Sequence, residues 1–149
     1  ILRDSINAWA KDCPGDNLAA ALAIDARENP WLVETENISI SAIVNINMIH
    51  ISPWSACLGL MAGAGRILQE QGILYLYGPY KQEGKHTAPS NETFEQSLRS
   101  QNPDWGVRNL EDVIAQAKGQ GLDLLEVVAM PANNLSVIFQ RNGENNKVA

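Results

Sequence analysis

The sequence predicts an α/β fold: three layers, with helices against a mostly parallel sheet whose last strand is antiparallel. Two observations predict it. Helical and strand-like apolar patterns alternate along most of the 149 residues. The chain then closes on two consecutive strand-like segments, 122–130 and 135–140, joined by a short connection that begins at Pro131. Alternation indicates a parallel sheet between helices, and the closing pair supplies the antiparallel strand.

The first part of the chain contains one predicted helix and two predicted strands. Apolar residues recur at helical intervals in residues 1–11, so this segment is predicted to be a helix. Residues 18–24 form a short apolar run that we predict to be a buried strand, although its alanines also permit a helix. Residues 38–46 are mostly apolar and β-branched, which favours a strand in the interior of a sheet.

The middle of the chain is predicted from its capping residues. Ser52 is a suitable N-cap and Pro53 a suitable first residue for a helix that we expect to reach about residue 70. Gly72 is the predicted left-handed residue after that helix, and residues 73–77 are predicted to be the next strand.

The segment before the closing strands is predicted to contain a loop and two helices. Residues 81–91 are polar and include a glycine and a proline, so we predict a mobile loop there. Helices are predicted over about 91–100 and 109–119, separated by a turn at 102–106.

Composition limits the class of partner. Hydrophobic residues make up 45% of the chain, enough for one compact domain. The net charge of -6 and the absence of a basic stripe disfavour nucleic acid and favour a small-molecule substrate, although a protein or single-stranded partner stays open. No apolar run approaches the roughly 20 residues that span a bilayer, and the start lacks a signal-peptide pattern. Cys13 and Cys57 have neither disulfide nor metal-ligand spacing. A cytoplasmic protein without a metal site is therefore expected.

Polar and aromatic residues gather at the ends of two predicted strands. The strand at 38–46 leads into 47–54, which contains His50 and Trp54, and the strand at 73–77 leads into Gly78-Pro79-Tyr80. In an open parallel sheet, ligands bind outside the carboxyl ends of the strands. The sequence therefore predicts a binding site at these two strand ends.

Five stretches in this order resemble one family. They are Asn47-Met48-Ile49-His50-Ile51-Ser52-Pro53-Trp54, Gly63-Ala64-Gly65-Arg66-Ile67-Leu68, Tyr77-Gly78-Pro79-Tyr80, Asp104-Trp105-Gly106-Val107-Arg108 and Met130-Pro131-Ala132-Asn133-Asn134. Together they are similar to the class I S-adenosylmethionine-dependent methyltransferases, and more closely to an uncharacterised methyltransferase-like family that includes methyltransferase-like protein 26. The resemblance implies a Rossmann-like sheet of strand order 3-2-1-4-5-7-6 and S-adenosylmethionine as cofactor.

The chain departs from this family at its beginning. Family members start with a strand and a Gly-x-Gly-x-Gly turn, followed by a strand that ends in an acidic residue, and neither feature is present here. Gly63 and Gly65 cannot replace the turn because they lie within a predicted helix. We therefore expect residues 1–141 to be the C-terminal portion of one methyltransferase-like domain, without strands 1 and 2, followed by a flexible tail at 142–149. Such a chain by itself is expected to fold poorly and not to bind cofactor.

The resemblance also implies roles for the residues nearest the cofactor. Asp25 and Ala26 follow the strand that lies under the adenine, although Asp25 is equally expected as a surface cap. Asn45 and Asn47 are candidates for binding the amino-acid end of the cofactor or for orienting a substrate, with bonding to the local backbone as the alternative. His50 is the candidate catalytic base, although methyl transfer needs only alignment of the reactants in some enzymes.

Six residues are candidate substrate contacts. They are Trp54, Tyr77, Tyr80, Trp105, Arg108 and Asn133. For Trp54 the alternative is packing of the first helical turn. For Trp105 and Arg108 it is a turn fixed by an aromatic residue, and for Asn133 it is the turn between the last strands. The predicted function is methyl transfer from S-adenosylmethionine to a small-molecule nucleophile. The alternatives are a non-catalytic methyltransferase-like scaffold and another Rossmann-type enzyme that uses a nucleotide cofactor. The oligomeric state is not predicted.

Overall fold

The structure is a computed structural model that describes residues 1–143, so 144–149 of the predicted tail lie outside the described residues. Its helices and strands alternate in the predicted manner. In chain order they are α1 (Leu2–Lys11), β1 (Ile40–Ile46), α2 (Trp54–Ile67), β2 (Leu68–Gly78), β3 (Lys81–Gln82), β4 (Lys85–His86), α3 (Pro89–Gln101), α4 (Leu110–Gly119), β5 (Leu122–Met130) and β6 (Asn134–Arg141).

Four strands form the main sheet, in the order β1-β2-β6-β5. β1 and β2 are parallel, and β6 is antiparallel to both of its neighbours, β2 and β5. The α/β fold with an antiparallel last strand is therefore confirmed. This order also corresponds to the 4-5-7-6 end of the sheet that the family resemblance implies.

The hydrophobic core lies between one face of this sheet and the helices α2 and α4. Strand residues on that face alternate with residues on the other face, and Leu74, Leu76 and Phe139 are fully buried. They pack in one cluster with Met61 of α2 and Val113 of α4. The opposite face of the sheet exposes apolar side chains, and its consequences are considered below.

The predicted strand at 18–24 is wrong. These residues are irregular, and their large apolar side chains are exposed. A strand is stabilised by pairing of its backbone with a neighbour. The chain instead passes from this segment to α2, where the ring of Trp31 packs over Gly63, so residues 18–24 never reach the free edge of β1. The prediction that 38–46 lies inside the sheet is also wrong for residues 1–143, because β1 is the edge strand.

The end of α2 also differs from the prediction. The helix ends at Ile67 because Leu68 already pairs with Ile40 as part of β2. The register then shifts between Ile40 and Ala42, and the left-handed residue of this irregularity is Gln71, with φ of 64°, not Gly72.

The start of α2 is not capped by Ser52. The hydroxyl of Ser52 donates a hydrogen bond to the Met48 carbonyl at 2.8 Å, and Pro53 occupies the N-cap position. The predicted loop at 81–91 folds as the hairpin of β3 and β4 and the first turn of α3.

Candidate functional site

The carboxyl ends of β1 and β2 are held together by the first residue after β1. Asn47 has a left-handed backbone, with φ of 55°, and its N–H donates to the Tyr77 carbonyl at 2.9 Å. Asparagine tolerates this conformation better than most residues. The turn then passes into a short 3₁₀ segment, Ile49–Ile51, which places His50 beside the end of β2.

A cleft of about 520 Å³ opens at this point, and we call it the central cleft. It lies between the turn after β1, the start of α3 and the connection between β5 and β6. Its lining is Asn47, His50, Ile51, Pro79, Ser90, Asn91, Phe94, Ala132, Asn133 and Asn134. None of these side chains carries a formal charge when His50 is neutral.

His50 is the titratable residue of the central cleft. Its side chain is largely buried, at 6% exposure, and its ring meets the edge of the Phe94 ring at 5.5 Å between centroids. Burial lowers the pKa of His50 below its usual value, and the positive charge of Arg108 lowers it further. The imidazole is therefore neutral at physiological pH and available to accept a proton.

Gly78 brings His50 and Asn47 together at the end of β2. A Cβ atom added to Gly78 would lie 3.4 Å from Nδ1 of His50 and 3.6 Å from Oδ1 of Asn47. Both side chains therefore pack directly over this glycine. The N–H of Gly106 fixes the same segment from the other side by donating to the His50 carbonyl at 3.0 Å.

A second cavity, of about 540 Å³, lies on the other side of the turn after β1, and we call it the edge cavity. Asp25, Ala26 and Met48 are among the residues that line it. The Asp25 carboxylate accepts hydrogen bonds from Arg27, from its Nε and its backbone N–H, both at 2.9 Å. These bonds lower the pKa of Asp25 to about 2, so the carboxylate is ionised.

Asn45 and Asn47 are therefore directed to different surroundings. The Asn45 amide lies 3.4 Å from Sδ of Met48, on the side of the edge cavity, whereas Asn47 lines the central cleft. Consecutive residues Asn47 and Met48 thus face two separate cavities across one turn of the chain.

Two of the predicted substrate residues lie at the central cleft. Asn133 lines it with a left-handed backbone, and its amide donates to Oγ of Ser90 at 3.3 Å. The hydroxyl of Tyr77 accepts a hydrogen bond from Nδ2 of Asn134 at 3.2 Å, so Tyr77 supports a residue of the lining.

The other predicted substrate residues lie away from the central cleft. Tyr80 is 2% exposed in the core, and burial raises the pKa of its hydroxyl. Trp54 and Arg108 line a third cavity, in which the guanidinium stands 5.8 Å from the centroid of the Trp54 ring. Trp105 is half-buried in the turn after α3 and lines none of these three cavities.

Sequence reasoning missed the contribution of α3. Asn91 is not among the predicted site residues, but its buried amide donates to the Asn133 carbonyl at 3.2 Å and to Oγ1 of Thr87 at 3.2 Å. Phe94 and Leu98 are the two large apolar side chains of this mostly polar helix, and their spacing of four residues was the available signal. The structure shows that the Phe94 ring covers His50.

Comparison with known proteins places the chain in a family. Residues 1–141 match the family described as "Protein of unknown function (DUF938)". The chain belongs to this family.

Solved structures share the fold of this family member. An O-methyltransferase family protein from Burkholderia thailandensis matches with a TM-score of 0.69 and 12% identity, covering 96% of this chain and 40% of its own. Human N-acetylserotonin methyltransferase in complex with SAM matches with a TM-score of 0.65 and 10% identity, covering 80% of this chain and 32% of its own. A structure described as a pericyclic reaction enzyme matches with a TM-score of 0.71 and 10% identity, covering 93% of this chain and 34% of its own.

These matches establish a Rossmann-like methyltransferase fold. The chain spans between about a third and two fifths of the length of the three proteins. At such low identity the likeness concerns the fold, and function must be argued from the site. Within residues 1–143, no helix is long and apolar enough to cross a membrane.

Proposed function

We propose that this protein is an S-adenosylmethionine-dependent methyltransferase that acts on a neutral small molecule. Residues 1–141 would form the C-terminal portion of its methyltransferase-like domain. The observation that carries the proposal is the position of Asn47 and Met48, which face the central cleft and the edge cavity from one turn at the end of β1. Two ligands would therefore approach this turn through different cavities, which would place them close together for the transfer of a group.

The residues of this chain fit the adenine side of the cofactor. The edge cavity combines an ionised carboxylate at Asp25 with apolar contacts from Ile24, Met48 and Pro53. An exocyclic amine would donate to Asp25, and the N–H of Ala26 would face a ring nitrogen. Asn45, whose amide lies 3.4 Å from Sδ of Met48, would bind the amino-acid end of the cofactor. S-adenosylmethionine supplies an activated methyl group on its sulfonium.

The central cleft supports the choice of a neutral acceptor. Its lining carries amides, a hydroxyl and the Phe94 ring but no formal charge when His50 is neutral. Phe94 would stack on an aromatic or apolar portion of the substrate, while Asn47 and Asn133 orient it. His50 would accept the proton that an O–H or N–H nucleophile loses, because its buried imidazole is neutral.

Calorimetry of the full-length protein tests the proposal. We expect S-adenosylmethionine and S-adenosylhomocysteine to bind, and Asp25→Asn to weaken both by about 10-fold, because a charged acceptor is replaced. Asp16→Asn is the matched control, since Asp16 is exposed in the turn after α1, and it should leave binding unchanged. If the full-length protein binds neither ligand, the proposal is wrong.

A second reaction class is favoured by one observation. The structure described as a pericyclic reaction enzyme shares this fold with a TM-score of 0.71, so the fold is not limited to methyltransferases. If the protein binds S-adenosylmethionine but forms no S-adenosylhomocysteine with a panel of phenols, amines and thiols, this class or a non-catalytic scaffold replaces methyl transfer.

A further inference from the structure

The third cavity has a different chemistry from the other two. It encloses about 290 Å³ and is lined by Trp54, Lys81, Arg99, Arg108, Asn109 and Asp112, among others, and we call it the cationic cavity. Three of these side chains are positively charged, although the whole chain carries a net charge of -6. None of its lining residues also lines the central cleft.

Glu95, which does not line the cavity, holds two of the cations, Lys81 and Arg99, in place. Its Oε1 accepts hydrogen bonds from Nη2 of Arg99 at 2.9 Å and from Nζ of Lys81 at 3.4 Å. Glu95 is 8% exposed, so these bonds are shielded from water. Gly106 makes room for them, because a Cβ atom there would lie 2.9 Å from Nη2 of Arg99. The fold therefore arranges the cations before any ligand is present.

Arg108 is fixed by two hydrogen bonds, but its buried Nε–H has no partner among residues 1–143. Its Nη2 donates to the carbonyls of Ser52 at 2.9 Å and Asp104 at 2.6 Å. An unpaired buried donor is costly, and more so when it carries charge. The neighbouring guanidinium of Arg99 adds like-charge repulsion that an anion between the two would relieve.

Asn109, which lines the same cavity, leaves an acceptor unpaired. Its Nδ2 donates to Oδ2 of Asp112 at 3.1 Å, and this bond sets the orientation of the amide because a carboxylate only accepts. Oδ1 of Asn109 is consequently an acceptor, and in the described part of the chain it is buried without a partner. The cavity thus presents three cations together with two acceptors, Asn109 and Asp112.

We propose that the cationic cavity binds a protonated phosphate group, either free phosphate or the phosphate of a small monoester. The phosphate oxygens would accept from Arg108 Nε, Arg99 and Lys81, since guanidinium and ammonium groups both bind phosphate well. The P–OH would donate to Oδ1 of Asn109 or to Asp112. A fully deprotonated oxyanion of the same shape, such as sulfate, would leave Asn109 Oδ1 unpaired and would be repelled by Asp112.

Calorimetry of the full-length protein in chloride buffer at pH 7 tests this proposal with inorganic phosphate and sulfate. We expect saturable binding of phosphate. Sulfate should bind at least about 10-fold more weakly, because it lacks the P–OH that donates a hydrogen bond within the cavity. Glycerol 3-phosphate distinguishes the two sources of phosphate. The second pKa of a phosphate monoester is near 6, so it loses its last P–OH between pH 6 and pH 8. A monoester should therefore bind more tightly at pH 6 than at pH 8. Inorganic phosphate carries a P–OH at both pH values.

Three variants locate the site. Arg99→Gln removes a cation whose side chain is half exposed and should weaken phosphate binding by about 10-fold. Asp112→Asn should instead strengthen sulfate relative to phosphate. Arg66→Gln removes one positive charge from the ion pair between Arg66 and Glu34, outside this cavity, and should change neither phosphate binding nor sulfate binding. Absence of saturable phosphate binding, equal binding of sulfate, or an equal effect of Arg66→Gln would overturn the proposal.

Discussion

At the scale of single residues, the central cleft is defined by the environment of His50. The His50 ring is buried against Phe94, and the backbone carbonyl of His50 accepts a hydrogen bond from the N–H of Gly106. Burial favours the neutral imidazole, which is the form that a general base requires. The same residue on an exposed loop would have neither the lowered pKa nor the fixed position.

His50→Gln tests the catalytic role of this residue. We expect the rate of S-adenosylhomocysteine formation to fall by about 10²–10⁴-fold, the usual contribution of a general base. In the wild type the rate should fall as the pH drops through the lowered pKa of His50, and this acidic limb should be absent in the variant. A variant that retains both the rate and the acidic limb would show that alignment alone carries the reaction.

Burial of His50 also predicts a pH dependence of stability. The folded state binds a proton less readily than the unfolded chain, in which histidine has a pKa of about 6.5. The free energy of unfolding should therefore be independent of His50 above that pH and should decrease as the pH falls below it. Urea denaturation at pH 7.5 and 5.5 measures this decrease, which His50→Gln should reduce.

At the scale of elements, α2 packs closely against the segment before β1 at two glycines, Gly59 against the backbone of Ala26 and Gly63 against Trp31. A Cβ atom on Gly63 would lie 2.1 Å from the nearest atom of the Trp31 ring. Trp31 in turn donates from Nε1 to the Ala26 carbonyl at 3.0 Å, so the ring positions one wall of the edge cavity. The packing of one helix thus determines the geometry of the candidate cofactor side.

Gly63→Ala should disrupt this junction. We expect the free energy of unfolding to decrease by about 1–3 kcal/mol, as for other overpacked core sites. Chemical denaturation of the full-length protein measures the change. Gly119→Ala in α4 is the control, because no atom lies within 4 Å of its added Cβ, and it should be neutral or slightly stabilising. Equal losses in both variants would contradict this account.

Glu95 joins α3 to the hairpin of β3 and β4. Its carboxylate accepts hydrogen bonds from Lys81 and Arg99 and lies 2.7 Å from Nε2 of His86. Burial opposes ionisation of Glu95, but the hydrogen bond from Arg99 and the charge of Lys81 outweigh it and hold its pKa below the usual value. The hairpin and α3 therefore form one ionic unit beside the central cleft.

Glu95→Gln should weaken this unit. Replacing this buried carboxylate, which accepts hydrogen bonds from two cations, should lower the free energy of unfolding by about 1–3 kcal/mol at pH 7. Because the pKa of Glu95 is lowered, its contribution is present above the unfolded value and is lost as the pH falls below it. Thermal melting of Glu95→Gln against Glu92→Gln, an exposed neighbour on the same helix, measures the difference.

The order of helices and strands was largely predictable because periodicity is a local property. α1, α3, α4 and the closing strands were predicted within a few residues. The predictions that were wrong concern segments whose structure depends on pairing with residues distant in the sequence. Residues 18–24 have the composition of a strand but no neighbour to pair with, and Leu68 leaves α2 early because Ile40 pairs with it. A single sequence gives no information about such partners.

At the scale of the whole molecule, one face of the sheet is covered and the other is open. Val44 and Ile46 of the edge strand β1 are 63% and 58% exposed on the open face. In the part of the chain that the structure describes, β1 pairs with β2 alone, so its outer backbone groups are free. An exposed apolar edge strand is a template for association.

The 149-residue chain by itself should therefore self-associate. We expect light scattering to detect oligomers at micromolar concentration, and Val44→Lys to reduce them by placing a charge on the edge strand. Leu32→Lys, at an exposed apolar residue in a 3₁₀ turn, is the control and should have little effect. A monomeric wild-type chain would contradict this prediction, and with it the expectation that this chain folds poorly alone.

The sequence by itself determined the fold class, the antiparallel closing strand and the gathering of polar residues at the ends of β1 and β2, where the site is predicted. Local patterns suffice for these, since periodicity defines the elements and parallel strands carry their polar ends to one edge. Only the tertiary structure decided which residues share a cavity. It separated Asn47 and His50 from Trp54 and Arg108, and it covered His50 with Phe94 from a helix more than 40 residues later in the chain. Such groupings depend on long-range packing, which side-chain type and spacing do not encode.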